Sequence, residues 1–248
     1  MPSLLDSVAH RPWALPSGPW VMRQIWHDLL FAHWPLPPAA VRPLVPRELA
    51  LDIYDGACWI GVVPFRMSGI HRRGIRPLPG VSAFPELNVR TYVTRAGEAG
   101  VYFFSLDAAN LMAVMAARAF YRLPYFYATM SSVEVDDRIH YACHRYLSSA
   151  DFRGSYRPIS HVRLAEKGSI EHWLTERYCL YTVSRGHVYR GDIHHTPWPL
   201  QEAEAELETN TVSAAAGISL PPTPPLLHFA RRLEVLIWRL GPVGESRV

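Results

Sequence analysis

Glu86, Asn88, Arg90 and Tyr92 stand at every second position of FPELNVRTYV, a stretch that begins at Phe84. Side chains two apart on a strand share a face, so one face would carry an acid, an amide, a guanidinium and a phenol. Leu87, Val89, Thr91 and Val93 would occupy the other. On an extended chain the backbones of Glu86 and Arg90 lie roughly 13 Å apart. That gap admits a small substrate, unless both side chains lean together and pair directly. Exposed, the four residues are an ordinary solvated surface. Facing inwards, each charge needs a partner, a ligand or water, because a buried unpaired charge is costly.

A second constellation runs from Arg118 into the turn Pro124-Tyr125-Phe126-Tyr127. Tyr125 or Tyr127 could donate a hydrogen bond at the base of a pocket whose apolar walls exclude water. The plainer alternative is a helix end packed against a sheet.

Other chemistries find little support. Cys58, Cys143 and Cys179 are far apart with no CxxC, against a disulfide framework or a zinc site and in keeping with a reducing cytoplasm. His194 and His195 would point to opposite faces of a strand, and His27 and His33 lie too far apart to share an ion. HExxH, GxSxG and glycine-rich phosphate loops do not occur, so neither a metal nor a nucleotide cofactor is expected. Cys179 has no histidine base in sight. With 25 basic and 22 acidic residues, the net charge of +3 makes no field to attract nucleic acid. Apart from Lys167, every basic residue counted there is arginine, so amine chemistry has one candidate. We find no secretion signal and no run approaching the roughly 18 apolar residues of a membrane span, so a soluble cytoplasmic protein is expected.

The elements that must position these residues are mostly strands, since 22 prolines and 15 glycines divide the chain into short segments. Strands are expected over 22–34, 57–67, 86–93 and 101–106. A hairpin joins 127–135 to 139–147 around Asp136-Asp137, another joins 177–184 to 188–194, and a last strand spans 227–240. One longer helix is expected near 107–121, capped by Asp107 or Asn110, with Leu111, Val114, Met115 and Arg118 along one side and Pro124 closing it. Short helices fit 39–44 and the residues after Ser169, through Leu174. Without repeats or a linker, residues 1–248 read as a single, mainly β domain with a minor α+β character. Its largely antiparallel sheet would close into a barrel or cone.

Seven phrases carry a resemblance: WHDLLFAHWPL (Trp26 to Leu36), LDIYDGACWIGVVPF (Leu51 to Phe65), FPELNVRTYV, GVYFFSLDA (Gly100 to Ala108), ARAFYRLPYFYA (Ala117 to Ala128), LTERYCLY (Leu174 to Tyr181) and IHHTPWPLQ (Ile193 to Gln201). On these the whole chain is similar to the uncharacterised YqjF-like family, placed in the acetoacetate-decarboxylase-like superfamily. That resemblance implies a β-cone or barrel with a central cavity. It places Glu86 at the glutamate of the cavity strand and makes Arg23 the nearest match to an arginine on the first long strand. In the decarboxylases a proline precedes two lysines, the first forming a Schiff base and the second lowering its pKa. Here Pro124 matches the proline, while Tyr125 and Phe126 occupy both lysine positions. Lys167 sits in a polar AEKGS turn, so the resemblance implies a cavity without Schiff-base chemistry.

The expected protein binds a small organic acid or carbonyl compound without a cofactor. Glu86 and Tyr125 are the candidate catalytic residues, and Arg23, Asn88, Arg90, Arg118, Phe126 and Tyr127 the candidate binding residues. Acid–base work as an isomerase, hydratase or lyase would need a raised glutamate pKa, which a guanidinium leaning on Glu86 would oppose. The rivals are a non-catalytic binding or sensing protein and a structural subunit of a homo-oligomer, with Trp13 and Trp20 exposed.

Overall fold

Frequent chain reversals build a structure of strands joined by short helices. The computed structural model describes residues 4–77 and 82–244. In chain order the elements are β1 (Met22–Leu36), α1 (Pro38–Val41), β2 (Ala50–Leu51), β3 (Cys58–Arg72), β4 (Phe84–Arg95), β5 (Glu98–Ala108), α2 (Leu111–Tyr121), β6 (Tyr125–Val135), β7 (Arg138–Arg145) and β8 (Asp151–Pro158). There follow α3 (Ile170–Thr175), β9 (Cys179–Ser184), β10 (His187–His194), β11 (Gln201–Asn210), β12 (Leu226–Ile237) and β13 (Gly241–Pro242). The strands form one sheet in the order β13-β10-β9-β5-β6-β7-β8-β11-β12-β1-β3-β4-β2, and the β4–β5 and β10–β12 pairings carry it round on itself. Pairing is antiparallel except where β5 meets β6 and β9. A parallel neighbour requires a crossover, and α2 supplies it between β5 and β6.

β4 is buried on both faces. Leu87, Val89 and Val93 enter the largest core cluster, with Leu30, Val62 and Phe229. On the other face Tyr92 packs with Val101 and Leu174 against Trp59, Phe103 and Trp173. Val63 and Phe65, level with Asn88 and Glu86, belong to a third cluster with Phe31 and Trp198. A strand between two packed layers has no solvated side, so the surface alternative for Glu86 and Asn88 fails: they are 3% and 4% exposed.

The expected helix near 107–121 begins later, at Leu111. β5 runs on to Ala108 because Ala108 is the register partner of Glu86. Asn110, not Asp107, caps the helix, its side chain accepting from the Ala113 amide at 3.0 Å. Val114 is buried, whereas Leu111 and Met115 are exposed. Ser169 caps α3 as expected. Four strands were not expected, the short β2 and β13 and the longer β8 and β11. β11 is written in helix formers, QEAEAELETN, yet its period of two sends Ala203, Ala205 and Leu207 to the core. Its partner β8 needs Gly154, where a Cβ would fall 2.6 Å from the Glu206 carbonyl oxygen. No helix among the described residues is long and apolar enough to cross a membrane.

Candidate functional site

Register brings the first half of the site together. Glu86 lies level with Phe65 of β3 and Ala108 of β5. Asn88 lies level with Leu106, whose parallel partner on β6 is Tyr125. The Tyr125 hydroxyl donates to Glu86 Oε2 at 2.9 Å. Behind the pair, the Tyr141 hydroxyl donates to the backbone carbonyls of Phe65 (3.0 Å) and Glu86 (2.8 Å), tying β7 to both strands. Burial pushes the Glu86 carboxyl up from 4.5 to about 8; the Tyr125 hydrogen bond opposes this and the charge of Asp107 adds to it. Burial, then the neighbouring Glu86, also holds the Tyr125 phenol well above its ordinary range. The feared guanidinium does not lean on Glu86: Arg90 turns instead to aromatic rings. At neutral pH the pair is therefore an acid with a proton to offer beside a phenol.

Alternation sends the next residue, Phe126, to the opposite face with Asp107. There Arg145 grips Asp107 through two bonds, Nε to Oδ1 at 2.6 Å and Nη2 to Oδ2 at 2.8 Å. Its guanidinium carbon lies 4.1 Å from the Phe126 ring centre, and that of Arg118 lies 5.5 Å from it. Arg118 opens into a hollow of about 580 Å³ lined also by Tyr102, Phe103, Arg122, Pro124 and Thr182. Neither Glu86 nor Asn88 belongs to that lining. Tyr127 is exposed and packs edge-on to Tyr146, and Arg23 forms an ion pair with Glu234 at 2.7 Å. The structure thus joins Glu86 and Tyr125 on the face of Asn88 and Arg90. Arg23, Arg118, Phe126 and Tyr127 have other partners.

At the far end of the face, the Arg90 guanidinium carbon lies 5.4 Å from the Phe31 ring centre and 5.7 Å from that of Tyr92. His33 shares a 2.7 Å hydrogen bond with the Tyr92 hydroxyl through Nε2. Arg177 fixes the surrounding wall. Its Nη1 donates to Asp52 at 2.5 Å, its Nε to the Trp173 carbonyl at 2.6 Å, and it stacks over both Tyr92 and Trp173. Sequence reasoning weighed His33 only as a metal ligand and missed Arg177 altogether. The alternation of Phe31 with His33 was a usable signal for the former. Arg177 had none, since its acid lies 125 positions away. Among the described residues, no three His, Cys, Asp or Glu side chains gather in a group that could hold a metal ion.

With this geometry in view, known proteins fall into two groups. The family DUF2071, described as an uncharacterized conserved protein, matches residues 23–234. "Uncharacterized protein YqjF" of Bacillus subtilis (strain 168) is 52% identical over 228 residues, which is 92% of this chain and 94% of that one. Among solved structures, the enduracididine biosynthesis enzyme MppR complexed with pyruvate aligns over 94% of each chain, with a TM-score of 0.63 and 11% identity. Acetoacetate decarboxylase from Legionella pneumophila aligns over 99% of this chain and 96% of its own, at 0.63 and 10%. An acetoacetate decarboxylase-like enzyme from Sphingomonas wittichii RW1 gives 0.61 and 12% over 94% and 98%. At such identities the likeness is one of fold. The chain belongs to the DUF2071 family, together with YqjF, and is built on the acetoacetate-decarboxylase-like fold.

Proposed function

We propose that this protein binds a small organic acid or carbonyl compound on the Glu86–Arg90 face of β4, and that Glu86 and Tyr125 move a proton on it without an amine. One observation carries this: a buried carboxyl with no cationic partner among the described residues, hydrogen-bonded to a phenol, shares a strand face with a guanidinium. A group titrating near 8 is close to ambient pH, where proton transfer is most efficient. Arg90 would hold the acid group, and Asn88, whose Oδ1 is buried without a partner, would take a donor from the substrate. Lys167, the lone lysine, is exposed. A fold neighbour bound to pyruvate supports ligands of this size; fold alone assigns no reaction.

A panel of β-keto and hydroxy acids, followed for product, tests the proposal. Glu86→Gln should abolish turnover, and borohydride reduction in the presence of pyruvate should trap no adduct. A trapped adduct would restore amine chemistry. A second reading, a binding module without turnover, draws on the Tyr125–Glu86 bond itself, which satisfies both groups within the protein. Thermal stabilisation by these acids without product would favour it.

A further inference from the structure

We propose that the Arg90 end of this face is a receptor for the carboxylate of an arylalkyl monocarboxylic acid, flanked by His33 and His228 and walled by Trp59, Phe103 and Trp173. Resting on the function proposed above, it names the ligand class of the same face. The register assembles the receptor: His33 of β1 is level with Gly61 of β3, and Gly61 with Arg90 of β4. Phe31, two residues before His33, is level with His228 of β12. A Cβ at Gly61 would lie 2.9 Å from His33 Nε2 and 3.3 Å from Arg90 Cγ, so only glycine lets these two side chains close on each other.

What this cluster lacks points to a ligand. Among the described residues, Arg90 forms no ion pair, and its Nε is buried without a hydrogen-bond partner. His33 Nδ1 and His228 Nδ1 are likewise buried and unpartnered, on residues 0% and 2% exposed. Three orphaned nitrogens in one place are expensive for a folded protein to leave. A carboxylate meets the need of Arg90, since a guanidinium receives it through paired bonds. Burial, then the Arg90 cation, keeps the His33 imidazole neutral, with Nε2 engaged by the Tyr92 hydroxyl. Glu171 lies 3.8 Å from His228 Nε2 and is already 3.2 Å from Arg163. Phe31 and Tyr92 are fully buried, whereas Arg90, Trp59, Phe103 and Trp173 keep accessible surface. The open part of the cluster is thus the Arg90 guanidinium among aromatic walls that Arg177 holds from behind, which suits a ring joined to a carboxylate.

Calorimetric titration of the wild-type protein with phenylacetate, 3-phenylpropanoate, acetate and phenylacetamide tests this. The aryl acids should bind, with acetate and the neutral amide weaker by about tenfold or more. Arg90→Gln should lose the aryl acids by a similar factor, while Glu206→Gln, an exposed carboxylate on β11, stays within about twofold. Equal binding of acid and amide, binding of neither, or an Arg90→Gln variant with wild-type affinity would overturn the proposal. If Arg90→Gln does not fold, the acid-against-amide comparison on the wild type still decides. Aryl-acid binding without turnover of any keto acid breaks only the proton chemistry at Glu86. Turnover dependent on Glu86 without acid-over-amide selectivity breaks only the receptor.

Discussion

Two buried electrostatic arrangements sit on opposite faces of the same sheet, and they are finished to different degrees. On one face Asp107 and Arg145 satisfy each other through two bonds, and the Phe126 ring lies against the guanidinium. On the other, Glu86 and Arg90 share a face of β4, yet Glu86 is met by a phenol and Arg90 by aromatic rings. A charge buried for stability is usually paired within the protein. A charge buried for binding must be left something to do. The adjacent residues Tyr125 and Phe126 divide between these roles because neighbouring side chains on a strand point opposite ways.

The contrast breaks most visibly on the closed face. Arg145→Met strands the Asp107 carboxyl in the core, and such a loss costs about 3–5 kcal/mol. Urea unfolding should register it, and a loss below about 1 kcal/mol would mean that Asp107–Arg145 is no more structural than Glu86. Replacing both partners by leucine should recover most of the stability.

The open face should instead reveal itself through pH. Folded Glu86 holds its proton to about pH 8, and the unfolded chain releases it near 4.5. Between these values the folded state binds more protons, so stability falls as pH rises and is level on either side. Glu86→Gln carries no such proton. Relative to wild type it should gain a few kcal/mol on passing from pH 4 to pH 9. Parallel pH profiles for the two proteins would show that the carboxyl titrates normally.

How much of this could be read beforehand follows from the range of each interaction. The alternation in FPELNVRTYV is a local pattern, and it placed Glu86, Asn88, Arg90 and Tyr92 on one face. The bond from Tyr125 to Glu86 was not read, because Tyr125 was expected in a turn before a strand at 127, whereas β6 begins at Tyr125. The split between Tyr125 and Phe126 was missed for the same reason, since a turn has no alternation of faces. Arg145 and Arg177 were not legible, since each depends on a register between distant segments that no local pattern records. β11 failed for another reason: its residue types favour a helix while its period favours a strand, and pairing with β8 decided the matter.

Tyr125→Phe sharpens the comparison with a smaller effect. It removes the one side-chain hydrogen bond that lowers the Glu86 pKa, so the carboxyl should titrate above 8. The stability loss should be about 1 kcal/mol in acid and larger in base, where an ionised Glu86 would lack its donor. NMR titration of the Glu86 side chain checks the direction. An unchanged or lower pKa would separate the two groups.

The smallest effect serves as the control. Asn110 caps α2, the crossover that delivers Tyr125 to one face and Phe126 to the other. Asn110→Ala should cost about 1 kcal/mol in urea unfolding. Because the cap bond lies within α2, to the Ala113 amide, its loss should lower the helix's contribution to both faces alike. The Glu86 titration should stay where it is, and the Arg145→Met penalty should be additive with the cap loss. A Glu86 pKa that moved with the cap would mean that α2 tunes the open face directly, and the division between a self-satisfied face and a receptive one would then depend on the helix rather than on strand alternation.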